Sequence, residues 1–385
     1  LRHLGSPDAR AWRELLLHHH GKYLAGAKAP DDEFKDFKNH VLHVREGEWG
    51  GAIEACEEWY RRTVRALRDR DWKQAAWSAG VLSHYYVDPI QPFHTHQTEE
   101  EGVIHRAVEQ SFSKSYKVFQ SMLEAGGYPE IEAPGGDAWL AAMVRAGAKA
   151  ANAHYELVIE HYDFEAGARN PKAGLDNAIC AAIAPLVGHA IVGLARILDR
   201  AIEEAGVVPA RVNGALQALL LTLDMPIQAL ASAIEDGAAR REVLAQYEEF
   251  RRTGKVRTTL GEDDKVVREL HAAEVLKTPL SSLDAKWPRE IGAKAGGRVS
   301  APARAPARPT AKIIELDVVP APRPQRVMKA PPPLPRELPV GAPLAKKEKT
   351  LPRCTLTDSA PVVQAPSIGP KTAKRLEALG VKTVA

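Results

Sequence analysis

The sequence predicts an all-α protein, a multi-helix bundle followed by a linker and a short final segment. Apolar residues recur at helical spacing, most clearly from Trp72 to Leu82. Residues 136–276 are alanine-rich and interrupted by prolines, without the alternation that predicts strands. From Gly296 onward Pro, Ala, Arg and Lys dominate, and such a composition cannot bury a core.

These patterns divide the chain into four regions. We expect a helical domain at residues 1–205, an additional helical region at 206–290, a disordered Pro-rich basic linker at 296–365, and a short module at 366–385. The first residue is Leu1 instead of Met, so we also expect a segment upstream of it. No stretch has the length and hydrophobicity of a signal peptide or a membrane span, and we predict no transmembrane segment.

Within the first region, three helices are predicted in succession. An amphipathic helix covers residues 52–70, with its charged side chains on one solvated face. The next helix begins near Trp72 and stops at or just beyond Asp88, because Pro89 follows directly. Another helix extends from about Glu100 past Tyr116.

Two histidine–carboxylate pairs lie on these helices. His84 with Asp88, and His105 with Glu109, have i,i+4 spacing, which places both side chains of a pair on one helix face. His94 lies on the intervening loop. Imidazole nitrogen and carboxylate oxygen are zinc ligands, and five of them could hold more than one ion. The alternative is two surface ion pairs, each worth about 0.3–0.5 kcal/mol.

The pattern His84-Tyr85-x-x-Asp88-x-x-Gln91-Pro92-x-His94, followed by His105-x-x-x-Glu109, resembles the signature of the zinc-dependent phospholipase C family. Relatives of that family include the S1/P1-type single-strand nucleases. The resemblance implies a helical bundle of that type with two or three zinc ions. It implies that Asp88 bridges two ions, that His84 binds zinc with it, and that His94, His105 and Glu109 hold another ion.

A further resemblance concerns Ala29-Pro30-Asp31. It is similar to the family's Pro-Asp turn, which implies that Asp31 binds zinc and helps to activate water, and that His43 is another zinc ligand. His40 competes with His43 for that role. Alternatively, Asp32 and Asp36 cap helices.

The function we predict is metal-assisted hydrolysis of a phosphodiester, with phospholipid as the substrate that the resemblance implies. Asp31 is the expected catalytic residue, orienting or deprotonating the attacking water. A nuclease or nucleotidase of the same fold is one alternative. A metal-stabilised scaffold without catalytic activity is the other.

The final segment, Ser367 to Val381, resembles half of a helix-hairpin-helix motif, whose turn exposes backbone amides that can bind phosphate. From Gly296 to the end the chain has 16 basic and 6 acidic residues, a net charge of +10. The overall +3 therefore hides a net charge of −7 in the preceding part. A basic tail suits contact with DNA, an anionic membrane or a protein partner, and the sequence predicts no particular compartment.

Overall fold

A computed structural model describes residues 2–212, 236–288 and 291–292, and they form a mostly α-helical protein. The all-α prediction is confirmed at this level. In the described part, the strands are Leu42–His43 (β1) and Trp49–Gly50 (β2), one antiparallel pair. The predicted linker and the predicted final module lie outside the described residues.

The α-helices are α1 (Ala9–His18), α2 (His20–Ala29), α3 (Ala52–Arg68), α4 (Trp72–Val87), α5 (Glu99–Gly126), α6 (Trp139–Asn152), α7 (Tyr155–His161), α8 (Phe164–Arg169), α9 (Asn177–Ala205), the helical residues 236–253 (α10), α11 (Glu262–His271) and α12 (Leu280–Asp284). Short 3₁₀ turns lie at Phe37–His40, Asp88–Ile90, Pro92–His94 and Pro171–Gly174, and single π-helical turns lie at Pro30–Phe34 and Ala272–Leu276.

The ends of α4 and α5 follow from local sequence. The Asp71 carboxylate accepts a hydrogen bond from the Gln74 amide at 3.1 Å and so caps the start of α4. At the other end, α4 stops at Val87 and a 3₁₀ turn follows, as the proline after Asp88 predicts. The Thr98 hydroxyl accepts from the Glu101 amide at 3.2 Å and caps α5.

Two glycines bring α2 and α4 into backbone contact. A Cβ atom on Gly26 would lie 2.0 Å from the Trp77 carbonyl oxygen, and one on Gly80 would lie 2.1 Å from that of Tyr23. No larger residue fits at either position without moving a helix. This approach places the end of α2 against the side chain of His84, one turn further along α4.

Helix α9 is the one described helix that is long and apolar enough to cross a membrane, with a mean hydropathy of 2.1 over its most apolar window. The sequence analysis predicts no stretch of that length and hydrophobicity. Of the window, 56% is buried inside the protein, and core helices of globular proteins pass the same test of length and composition. Length and composition are therefore weak grounds for treating α9 as a membrane span.

The described part of region 206–290 packs on the preceding helices. Val243, Val256 and Leu260 belong to the same hydrophobic core as the residues of α3, α4 and α5. All described residues fall within one compact unit, Leu1–Pro306. Helix α11 lies against the 3₁₀ turn Phe37–His40, which brings it to the polar site described next.

Candidate metal centre

Asp88 lies at the centre of a group of imidazoles. Its Oδ2 atom is 3.0 Å from His40 Nδ1, 3.0 Å from His84 Nε2 and 3.8 Å from His94 Nδ1. His84 precedes Asp88 by four residues at the end of α4, so both side chains leave the helix on one face. The 3₁₀ turn at Pro92–His94 then carries His94 back to Asp88.

On one side of Asp88 lies a first ligand group, formed by Asp31, His40 and His84. Their ligand atoms all lie within 4.8 Å of one another. Asp31 Oδ1 is 3.6 Å from His40 Nδ1 and 3.7 Å from His84 Nε2. The Asp31 side chain is 55% exposed whereas both histidines are mostly buried, so the first ligand group opens to solvent at Asp31.

On the other side lies a second ligand group, formed by His94, His105 and Glu109. Glu109 Oε1 is 3.3 Å from His94 Nε2 and 3.4 Å from His105 Nε2. The predicted pair on α5 therefore shares one carboxylate oxygen with the loop histidine. Within the described part of the chain, the buried His105 Nε2 atom makes no hydrogen bond.

The far ring nitrogens of these histidines are held by acceptors. His84 Nδ1 is 2.8 Å from the Ala27 carbonyl oxygen, and His94 Nδ1 is 3.1 Å from that of His40. A carbonyl can only accept, so in the neutral ring Nδ1 carries the hydrogen and Nε2 keeps its lone pair. Metal-binding histidines are oriented in this way.

His105 is oriented by two carboxylates. Its Nδ1 atom is 2.6 Å from Glu101 Oε1 and 2.9 Å from Asp264 Oδ1. Glu101 is 2% exposed and lies one turn earlier on α5, whereas Asp264 comes from the first turn of α11. Neither was predicted from the sequence. The i,i+4 spacing of Glu101 and His105 could have indicated the first, but nothing local indicates Asp264.

The electrostatics of the site are those of carboxylates paired with imidazolium groups. Burial lowers the pKa of His40, but hydrogen bonding to Asp36 and Asp88 outweighs it and raises that pKa to about 10. Burial raises the pKa of Glu109, but the neighbouring His105 and His94 bring it well below its usual value. Without a metal ion the imidazoles hold protons, and a bound cation would take the place of that positive charge.

A cavity of about 130 Å³ opens onto both ligand groups. Its walls include Phe37, Val41, Phe93 and Val267, with Arg106 at one side. The Arg106 guanidinium donates to Glu109 Oε2 at 3.1 Å and also binds Asp263 of α11. Its charge is therefore already paired with carboxylates of the site wall.

Six of the seven predicted ligands meet in this cavity, namely Asp31, His84, Asp88, His94, His105 and Glu109. His43 does not, because it belongs to a separate group with Glu46 and His271. His40 occupies the place expected of His43. The chain changes from a 3₁₀ turn ending at His40 to an extended strand at Leu42–His43, and this change turns His43 away from Asp31.

The chemistry of both ligand groups fits zinc, which takes imidazole nitrogen and carboxylate oxygen in small coordination shells. Each group offers three side chains, and Asp88 lies between them. No protein-family model matches the chain, and no curated protein was found to be similar to it. A functional assignment therefore depends on the site and on the residue pattern.

Proposed function

We propose that the protein is a zinc-dependent phosphodiester hydrolase that cleaves phospholipid, as its resemblance to the zinc-dependent phospholipase C family implies. The observation that carries this proposal is the arrangement of Nε2 atoms. His84, His94 and His105 each have the other ring nitrogen held by an acceptor and direct Nε2 at Asp88 or Glu109. Surface ion pairs do not require such buried, oriented rings.

Two ions are assigned to the two ligand groups. Asp31, His40 and His84 would hold one, His94, His105 and Glu109 would hold the other, and Asp88 would contact both. Zinc bound there would bring the pKa of a bound water toward neutrality and offset charge on the phosphoryl oxygens.

The chain's own residues then have separate tasks. Asp31, the carboxylate of the first ligand group and its most exposed member, would orient the attacking water and accept its proton. Desolvation raises the pKa of the Asp31 carboxyl, which makes it a better proton acceptor. The water oxygen forms a bond to phosphorus and the bond from phosphorus to the glycerol oxygen breaks. That oxygen takes a proton from solvent, and Asp31 releases to solvent the proton that it accepted. Diacylglycerol and a phosphorylated head group result.

An apolar cavity favours a lipid substrate. It has a volume of about 330 Å³ and is lined by residues that include Phe112, Tyr116 and Phe119 of α5. Phe112 and Tyr116 follow Glu109 by three and seven residues on the same face of α5, which is about 4–11 Å along the helix axis. Val87 and Ile90, which flank Asp88 in sequence, line this cavity too. An acyl chain in it would start close to the metal centre.

A single-strand nuclease is the second candidate. The observation that favours it is the basic composition after Gly296, with 16 basic and 6 acidic residues, and the segment there that resembles half a helix-hairpin-helix motif. These residues lie outside the described structure. The residues that line the apolar cavity include no Lys or Arg to contact phosphates, whereas their apolar side chains suit an acyl chain, and for this reason we favour the lipid.

Both candidates are tested by one set of assays. The full chain with zinc would be given phosphatidylcholine in mixed micelles or single-stranded DNA. The same assays would be run on His84→Ala/His105→Ala and on the control His189→Ala, a partly buried histidine of α9. We expect diacylglycerol release by wild type and control only. Cleavage of DNA but not of phospholipid would support the nuclease. Zinc binding without cleavage of either substrate would support a metal-stabilised scaffold without catalytic activity.

A further inference from the structure

A second histidine cluster lies apart from the ligand groups around Asp88. It consists of His43, Glu46, His96 and His271. The ligand atoms of His43, Glu46 and His271 lie within 4.8 Å of one another. His43 Nδ1 is 3.6 Å from Glu46 Oε2, and His271 Nε2 is 4.0 Å from Glu46 Oε1.

Two members of the second histidine cluster are buried, and Glu46 and His96 are partly buried. His43 is 1% exposed and His271 is 2% exposed, and Trp49 packs on both rings with centroid distances of 4.8 and 5.4 Å. The four residues come from strand β1, the turn after it, the loop before α5 and the last position of α11. Parts of the chain more than 200 residues apart therefore bring metal-binding side chains to one point.

Polar atoms in this cluster lack partners. Among the described residues, both ring nitrogens of His43, Glu46 Oε2, His96 Nδ1 and His271 Nε2 are buried without a hydrogen bond. His96 Nδ1 and Glu46 Oε1 are 2.5 Å apart and still not aligned for a hydrogen bond. Buried polar groups are almost always satisfied, so such a concentration of unsatisfied atoms calls for an unseen ion or water.

The side chains are also of the types that bind zinc. Each imidazole offers a ring nitrogen, and Glu46 offers a carboxylate oxygen. Two imidazoles beside one carboxylate are a donor set that zinc prefers.

We propose that the second histidine cluster is a structural zinc site in which His43, Glu46 and His271 bind the ion. His96, against the same carboxylate, is the remaining group that can complete a four-coordinate shell. Bonds of about 2.0–2.2 Å to zinc would require small side-chain rotations that bring the ligand atoms of His43, Glu46 and His271 closer together than the 3.6 and 4.0 Å found here.

The position of His271 gives this ion a structural role. His271 ends α11, and Asp264 in the first turn of the same helix holds His105 at 2.9 Å. The ion would tie the end of α11 to strand β1 and so fix the helix that supports the centre around Asp88. The site itself does not depend on the proposed hydrolase activity.

The direct test is a crystal of the full chain grown with zinc, with anomalous-difference maps recorded above and below the zinc absorption edge. We expect a peak between His43, Glu46 and His271. Water density or no density at that point would overturn the proposal. Peaks beside Asp88 are read separately, so a zinc ion in the second histidine cluster with none beside Asp88 would contradict only the proposed function.

Variants test the same site in solution. We expect Glu46→Gln and His271→Gln each to bind one zinc ion fewer per chain than wild type, and to lose part of the rise in melting temperature that zinc produces. His189→Gln, the control, should match wild type. Folded variants that bind as much zinc as wild type would refute the site. If both variants fail to fold, the anomalous map of the wild-type protein decides.

Discussion

Replacing Asp264 by Asn tests whether α11 supports the metal centre. The Asp264 carboxylate accepts from His105 Nδ1 at 2.9 Å, and Asn would leave a neutral, weaker acceptor at the same place. Loss of such an outer ligand partner typically lowers metal affinity by about 10–100-fold, which corresponds to roughly 1.4–2.7 kcal/mol. Glu101, at 2.6 Å from the same nitrogen, still holds the ring in this variant. We therefore expect Asp264→Asn alone to lower the zinc affinity by about 10-fold, the lower end of this range.

The assay is a competition titration in which the protein and a chelating dye compete for zinc. The apparent affinity of the most weakly bound zinc ion is compared between the variants and wild type. Glu262→Gln is the matched control, because Glu262 lies in the same first turn of α11 and pairs only with the surface residue Lys35 in the described structure. Both variants remove one negative charge from the helix start. The double variant Glu101→Gln/Asp264→Asn should lose affinity by about 100-fold. Equal affinity for Asp264→Asn and wild type, or an equal loss in Glu262→Gln, would show that the Asp264 carboxylate does not support His105.

Three other predictions concern stability and proton exchange. Hydrogen bonds from Thr258 and Thr259 outweigh burial and lower the pKa of Glu249 to about 2. Its contribution to stability, roughly 3 kcal/mol, is therefore present above pH 4.5 and fades as pH falls toward 2. In urea denaturation, Glu249→Gln should be less stable than wild type at pH 7, by a margin that shrinks by about 2 kcal/mol at pH 3, and a constant margin would contradict this. Gly80→Ala should lower the free energy of unfolding by about 1–3 kcal/mol, since its Cβ meets the α2 backbone, whereas Gly21→Ala, with open space, should not. Because the pKa of His40 is raised to about 10 in the metal-free protein, zinc binding at pH 7 should release at least one proton and tighten as pH rises. Calorimetry in buffers of different ionisation enthalpy would show this, and a buffer-independent enthalpy would exclude it.

Local sequence patterns predicted the helices that build the metal centre. The proline after Asp88 ends α4, and the i,i+4 pairs give the two histidine–carboxylate faces. Both features depend on residues close together in sequence, so they can be predicted from it. The choice between His40 and His43 could not be made in this way. It depends on where a 3₁₀ turn becomes a strand, and boundaries of this kind are set by tertiary packing.

Long-range contacts could not be predicted from the sequence. Asp264 reaches His105 across a separation of 159 residues, and His271 joins His43 across 228 residues. The sequence therefore predicts region 206–290 only as an additional helical region, although its helix α11 supplies part of the wall of the site. The apolar cavity lined by Phe112 and Tyr116 could not be predicted for a similar reason, because its walls come from α4, α5 and α9 together.

Zinc content per chain distinguishes a metal centre around Asp88 from a set of ion pairs. It would be measured by elemental analysis on the full chain, on His84→Ala/His105→Ala and on His189→Ala, after each has been saturated with zinc and freed of excess. We predict three ions in wild type and control, two beside Asp88 and one in the second histidine cluster. The double variant should keep only the last. No zinc in the wild-type protein, or equal zinc in wild type and double variant, would contradict the account.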